Sequence, residues 1–244
     1  RILERGILAT PDATEKITGK RDHIRKILIR DFDEEEVQNV LDQVSSRYIL
    51  NTSLSDMATH FSLALTLGEE NHAWRLEKRK DAPVTRVIQV TYDKPGLFSK
   101  MAGVLALNNM AVLSAGIFTL KNGLAFDTYE VTNPPDVYRE AEQWDKARKD
   151  LKEALGGRLM LDRLIQEKGD VGMLAAYERP VKEKVVINNE ESDFFTLIEI
   201  QAGARFGLLY DLACVIFGMD LDIRTAKVNS DGEKMTGVFY VRDS

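Results

Sequence analysis

Cysteine is almost absent from this chain: Cys214 is the single one in 244 residues, so neither an intrachain disulfide nor a thiolate metal cluster can form. That usage fits a reducing cytoplasm. Long apolar runs are missing too. None approaches the roughly 18 to 20 residues that cross a bilayer, and the opening Arg1-Ile2-Leu3-Glu4 lacks the layout of a signal peptide, so neither membrane insertion nor export is expected. There is no basic excess either. Lys and Arg total 33 against 39 Asp and Glu, a formal charge of −6, which argues against a general phosphate-backbone binder and removes nucleic acid as an expected partner. An initial Met is lacking, and the chain stops at Arg242-Asp243-Ser244, directly after the strand-like Val238-Phe239-Tyr240-Val241. Both ends therefore read as cuts through a longer protein.

What is present is a globular composition, 44% hydrophobic, with length for one large domain or two smaller ones. Up to about Lys80 the pattern is helical. Asp33-Glu34-Glu35-Glu36 places negative charge at a helix start, and Val37, Val40, Leu41 and Val44 form one apolar stripe. Ser53 and Asp56 have capping-box spacing ahead of Met57, Phe61, Ala64 and Leu65. Glu77 to Pro83 is charged and ends in proline, a boundary signal. Beyond it Arg86 to Thr91 reads as a strand. Asp93-Lys94-Pro95-Gly96 is a turn feeding a helix from Leu97 to about Asn108, and Val112–Leu120 and Leu124–Val131 are strands around the turn Lys121-Asn122-Gly123. A long helix follows Asp136, with Trp144, Ala147, Leu151 and Leu155 on one face, until Gly156-Gly157 interrupts it.

An internal repeat sets the expected architecture. Gly96-Leu97-Phe98 recurs as Gly207-Leu208-Leu209, an offset of 207 − 96 = 111, and the same offset pairs Ala102 with Ala213, Val104 with Val215 and Ala115 with Ala226. Phe195 to Ile200 mirrors the first strand, and Lys184 to Asn188 is expected to close the first copy after a long excursion. The fold class is thus α+β: tandem ferredoxin-like βαββαβ modules after a helical segment, the second copy cut short before its last helix and closing strand. The boundaries are a helical segment over 1–82, a first module over 83–190 and an incomplete second module over 191–244.

The turn Asp93-Lys94-Pro95-Gly96-Leu97 has properties suited to a zwitterionic amino acid. Proline fixes the turn, glycine permits close backbone approach, the helix start offers N–H groups to a carboxylate, and Asp93 can pair with an ammonium. The same turn serves equally as a plain strand-to-helix connection. Elsewhere chemistry is sparse. Asp220-Leu221-Asp222 imitates paired metal-binding carboxylates but falls where the repeat requires a helix-to-strand turn, without an upstream Gly-Ser loop. His23, His60 and His72 are scattered and read as helix-surface or interface residues, and Gly156-Gly157 follows no strand that would make it a phosphate loop.

The stretch from Val87 through Asp93-Lys94-Pro95-Gly96-Leu97-Phe98 and Gly103-Val104-Leu105-Ala106 to Asp127-Thr128-Tyr129 resembles an ACT domain. With Tyr210-Asp211, Val238-Phe239-Tyr240-Val241, and the earlier Arg47-Tyr48-Ile49-Leu50-Asn51 and Asp56-Met57-Ala58-Thr59-His60, the chain is similar to the C-terminal tandem ACT region of the bifunctional uridylyltransferase/uridylyl-removing enzymes that modify the PII nitrogen-signalling protein. The resemblance implies nucleotidyltransferase and metal-dependent hydrolase domains N-terminal to this region, using UTP and Mg²⁺. It also implies an ACT pair that senses glutamine and switches the enzyme between adding UMP to PII and removing it. This chain shows neither catalytic signature and is expected to hold no catalytic or metal site of its own.

In ACT pairs the effector lies between modules, held by the loop of one and a polar residue opening the second strand of the other. Here the first copy has Asp93 in its loop but Ala111 at the strand start, while the second has Ala204-Arg205-Phe206-Gly207 in the loop and Asp222 at the strand start. One composite keeps both polar groups and the other neither, so one effector site per pair is expected, at Asp93, Lys94, Pro95, Gly96, Leu97, Phe98 and Asp222. Two other readings stay open: an association module, pairing with PII or a second copy through the ACT sheets, and a catalytic ferredoxin-like enzyme, for which no convincing acid/base pair stands out.

Overall fold

Serine and aspartate punctuate the N-terminal helices of the computed structural model, which describes residues 11–68, 72–173, 181–192, 194–230 and 233–243. Helix α1 spans Pro11–Leu28. Asp33 caps α2 (Glu34–Gln43) by accepting the Glu35 and Glu36 N–H groups. Ser45 caps α3 (Ser46–Asn51), and Ser53 caps α4 (Leu54–Leu65) through the Asp56 N–H at 3.1 Å. Each cap satisfies donors the first turn leaves unpaired. The expected stripe is the buried one: Val37, Leu41, Val44, Met57 and Phe61 lie in a single core with Ile24, Tyr48, Val90, Leu124 and Phe126. Tyr48 sits edge-on to Phe118, Phe126 and Phe61 at centroid distances of 5.3, 5.7 and 6.1 Å, the geometry in which ring quadrupoles attract. Its hydroxyl meets His60 Nδ1 at 2.8 Å, and His60 Nε2 meets Thr128 Oγ1 at 3.2 Å. His60 is therefore a satisfied core histidine, not a surface one.

The remaining elements follow as β1 (His72–Lys78), β2 (Val84–Tyr92), α5 (Leu97–Leu107), β3 (Val112–Thr119), β4 (Leu124–Thr132), α6 (Glu140–Leu155) and α7 (Leu161–Met173). After them come β5 (Lys184–Asn188), β6 (Thr196–Gly203), α8 (Leu208–Gly218), β7 (Leu221–Ser230) and β8 (Lys234–Asp243). The strands form one sheet in the order β1-β2-β4-β3-β7-β8-β6-β5. Chain contacts divide the molecule into two units, each discontinuous in sequence. The first is Arg1–Leu76 with Val87–Asp93 and Ile117–Thr128; the second is Glu77–Arg86 with Lys94–Gly116 and Tyr129–Ser244.

This α+β architecture suits tandem ferredoxin-like modules, with two changes to the expected connectivity. His72–Lys78, expected to be helical, is an edge strand; its alternation is too short and too charged to register as a period, and only Trp74 is buried along it. Lys184–Asn188, expected to close the first copy, instead pairs antiparallel with β6, from Lys184↔Gln201 to Asn188↔Leu197. Each copy thus has a strand from earlier in the chain beside its own first strand, β1 beside β2 and β5 beside β6. The position expected for a strand after β8 is taken by β5, because a closing strand needs only the right edge and not a fixed place in the sequence.

Candidate functional site

The two copies meet along β3 and β7, which pair antiparallel through Ser114↔Lys227, Ala115↔Ala226 and Gly116↔Thr225. Ala115 and Ala226 are the residues related by the 111-residue offset, so a pseudo-two-fold axis passes between them. The equivalence extends to backbone strain. Asn109 and Asp220, also 111 apart, both adopt the left-handed conformation (φ 56° and 58°) at the turn before each copy's second strand. Gly96 and Gly207 likewise precede α5 and α8 with φ of 69° and 73°, and neither helix start carries a side-chain cap. Both starts leave backbone N–H groups and the positive end of a helix dipole oriented toward an incoming anion.

The first loop is polar and exposed at its tip. Thr119 Oγ1 donates to Asp93 Oδ2 at 3.3 Å, Lys94 Nζ donates to the Leu155 carbonyl at 3.2 Å, and Lys100 Nζ donates to the Pro95 carbonyl at 2.8 Å. Burial, and secondarily the Lys94 charge, hold the Lys100 ammonium below its ordinary pKa. Leu97 and Phe98 are buried, Phe98 stacking on Tyr129 at 6.2 Å, so these two can offer a ligand only their backbone. Asp222 opens β7 and pairs with Arg224 at 2.8 Å. The register shifts at Arg224, a bulge that re-aims a side chain, and the result is an aspartate whose charge is already met. Asp93 falls in the first unit and Asp222 in the second.

The second copy's loop borders a cavity of about 260 Å³ lying wholly within the second unit. Ala102 and Ala106 of α5, the run Asn109–Leu113, the loop and helix start Ala204–Tyr210, and Val228, Ser230 and Met235 line it. It coincides with the composite expected to lack both polar groups. The repeat shows how this space stays open. At the position of Ala106 the second copy carries Phe217, whose ring lies 3.7 Å from where a Cβ on Gly96 would stand. The ring therefore fills space beside the first loop, while alanine leaves the second loop's pocket empty. Phe217 and Lys168 went unremarked in the sequence, and Ala106 was noted only as part of the ACT-like stretch, although the offset that pairs 106 with 217 was legible in it.

Polar groups around this cavity are mostly engaged. Arg205 pairs with Asp211 at 2.6 Å, and the Tyr210 hydroxyl donates to Asp162 at 2.6 Å. Burial foremost, then that bond, pushes the Tyr210 phenol pKa up. Lys168 Nζ donates to the Leu107 carbonyl and to Asn109 Oδ1, both at 2.7 Å, and lies 5.0 Å from the centre of the Phe206 ring. Asp220 and Asp222 do not suit the Mg²⁺ of a nucleotidyltransferase. One occupies a strained turn, the other is held by Arg224, and no cluster of three potential ligands occurs among the described residues. No described helix is long and apolar enough to cross a membrane.

Over 249 aligned residues the chain is 28% identical to the bifunctional uridylyltransferase/uridylyl-removing enzyme of Gluconobacter oxydans, covering 99% of this chain and 26% of that protein. Against the enzyme of the same name from Rhodospirillum rubrum it is 28% identical, covering 94% and 25% respectively. Against that of Azospirillum brasilense it is 32% identical, covering 74% and 21%. No family model matches. The chain spans about a quarter of the length of these curated relatives.

Proposed function

We propose that this chain, homologous along nearly its whole length to part of the bifunctional uridylyltransferase/uridylyl-removing enzymes, is the amino-acid-sensing regulatory segment of such an enzyme, built from tandem ACT modules. The activity it governs is addition of UMP from UTP to the PII protein and its removal, with Mg²⁺ and the reacting groups held by domains outside this chain. Glutamine is the effector, and Asp93, Lys94, Pro95, Gly96, Leu97, Phe98 and Asp222 form its contact set. The 1–82, 83–190 and 191–244 divisions are the corresponding functional segments, except that the strand Lys184–Asn188 pairs with the second copy.

The observation that carries this reading is the pseudo-symmetric pairing about Ala115 and Ala226, which gives two glycine-led, uncapped helix starts at equivalent positions of the repeat. Paired modules of this kind have a low-cost way to respond. A ligand that prefers one arrangement of the pair shifts its population by the difference in affinity and no more, so a hundredfold preference supplies about 2.7 kcal/mol. The test is a calorimetric titration with glutamine, glutamate and other amino acids. Selective glutamine heat that disappears in Asp93→Ala and in Asp222→Ala supports the reading; equal heats for wild type and both variants would remove these residues from the contact set.

Association through a sheet edge is the second reading, and β5 favours it. Val185 and Ile187 are 62% and 63% exposed on this terminal strand, an edge open to pairing with another chain. Concentration-dependent sedimentation, abolished by Val185→Lys, with no amino-acid heat, would establish it instead.

A further inference from the structure

We infer that the cavity beside the Ala204–Gly207 loop binds a small apolar monocarboxylate lacking an ammonium group, in preference to the corresponding amino acid. Its volume of about 260 Å³ falls just below the roughly 300–1,000 Å³ common for ligand sites, a size for a compact acid. Its walls are dominated by Ala102, Ala106, Met110, Val112, Leu209 and Met235, which reward an aliphatic body.

One end is built for negative charge. Gly207 opens α8 without a side-chain cap, so the helix start offers N–H groups and its dipole. Lys168, behind the wall, donates to Asn109 and lies over Phe206, two residues that line the cavity. Lys168 makes no ion pair among the described residues: its ammonium donates to a backbone carbonyl and to an amide oxygen. Burial and the Lys146 charge hold its ammonium below the ordinary pKa, the condition in which an added carboxylate gains most. Arg205 on the same wall is paired with Asp211, so the charge available to an anion is that of Lys168 and the helix start.

The opposite charge meets no unpaired carboxylate among the described residues of the wall. No Asp or Glu is among the described residues that line the cavity; the two carboxylates against its wall are engaged, Asp211 by Arg205 and Asp162 by the Tyr210 hydroxyl, and the Ala111 backbone N–H and carbonyl are both taken by Thr132. An α-ammonium would be partly desolvated without an unpaired carboxylate beside it, a cost that disfavours it. The polar loop at Asp93 has the complementary character, so the two loops of the pair serve different ligand classes.

The experiment titrates the whole chain with 4-methylpentanoate, with leucine, which adds only the ammonium to the same skeleton, and with the neutral 4-methylpentan-1-ol. Methyl resonances of Met110 and Met235, both in the wall, report occupancy. We expect 4-methylpentanoate to shift both, and leucine to bind at least about tenfold more weakly. Lys168→Gln should weaken the acid about tenfold and leave the alcohol unchanged. Ala106→Phe, which installs the second copy's residue, should abolish both. The comparison of acid with leucine on the unaltered chain decides the matter even where Ala106→Phe does not fold. Leucine or glutamine shifting these methyls as strongly as the acid overturns the inference, and so does the absence of any acid effect. Glutamine heat that depends on Asp93 but survives Ala106→Phe belongs to the proposed sensing function, whose failure is read separately from these methyl shifts.

Discussion

Gly96 and Gly207 offer the sharpest test of the paired architecture, because equivalent glycines have unequal surroundings. Both have positive φ, 69° and 73°, so alanine at either costs about 1–2 kcal/mol of backbone strain. At Gly96 the new Cβ would meet Ser99 Oγ at 3.0 Å and the Phe217 ring at 3.7 Å. The hydroxyl can rotate away and the ring contact is ordinary. At Gly207 the Cβ would lie 2.4 Å from Ile165 Cγ2, and a β-branched side chain on a helix has one strongly preferred rotamer and cannot swing clear. Overpacking of that kind adds about 1–3 kcal/mol. Gly207→Ala should therefore cost about 2–5 kcal/mol against about 1–2 for Gly96→Ala, a large share of the roughly 5–15 kcal/mol that holds a domain folded. Urea unfolding of both variants measures the difference. In an Ile165→Ala background the cost of Gly207→Ala should fall to that of Gly96→Ala, a coupling of about 1–3 kcal/mol. Equal costs for the two glycines, or no coupling to Ile165, would refute the assignment of α7 as the element that packs on the second loop.

The same physics makes further claims. Gly103→Ala places a Cβ 2.7 Å from the Tyr210 ring; its packing cost of about 1–3 kcal/mol exceeds the gain of about 1 kcal/mol in helix propensity, so denaturant unfolding should show net destabilisation. The Tyr210 phenol, pushed up by burial and its bond to Asp162, keeps its proton in the folded state at pH values where the unfolded phenol, at about 10, loses it. Its stabilisation is thus complete below about pH 10 and lost as pH rises past it, and Tyr210→Phe should flatten that alkaline slope in thermal melts at several pH values. Phe61→Ala, emptying a fully buried ring from the N-terminal core, should cost about 3–5 kcal/mol in chemical denaturation. Ser53→Ala, removing the acceptor for the Asp56 N–H, should cost about 1 kcal/mol.

Much of this was legible in one dimension, because it rests on neighbours within a few residues. The caps at Asp33 and Ser53, the stripe Val37-Leu41-Val44, the loop Asp93–Gly96 and the helix after it depend on local hydrogen bonds and on side-chain periodicity, and the 111-residue offset records equivalent backbone down to the left-handed Asn109 and Asp220. Tertiary structure alone decided the partners of the edge strands. His72–Lys78 and Lys184–Asn188 carry too few apolar residues to declare a period or a mate, and β-pairing joins residues without regard to their separation along the chain. It also decided which loop of the pair borders an open cavity, since Phe217 acts on Gly96 from 121 positions away in sequence and alanine at 106 leaves the other side empty. A sequence states the size of each side chain, but volume left unfilled is a property of all the walls at once.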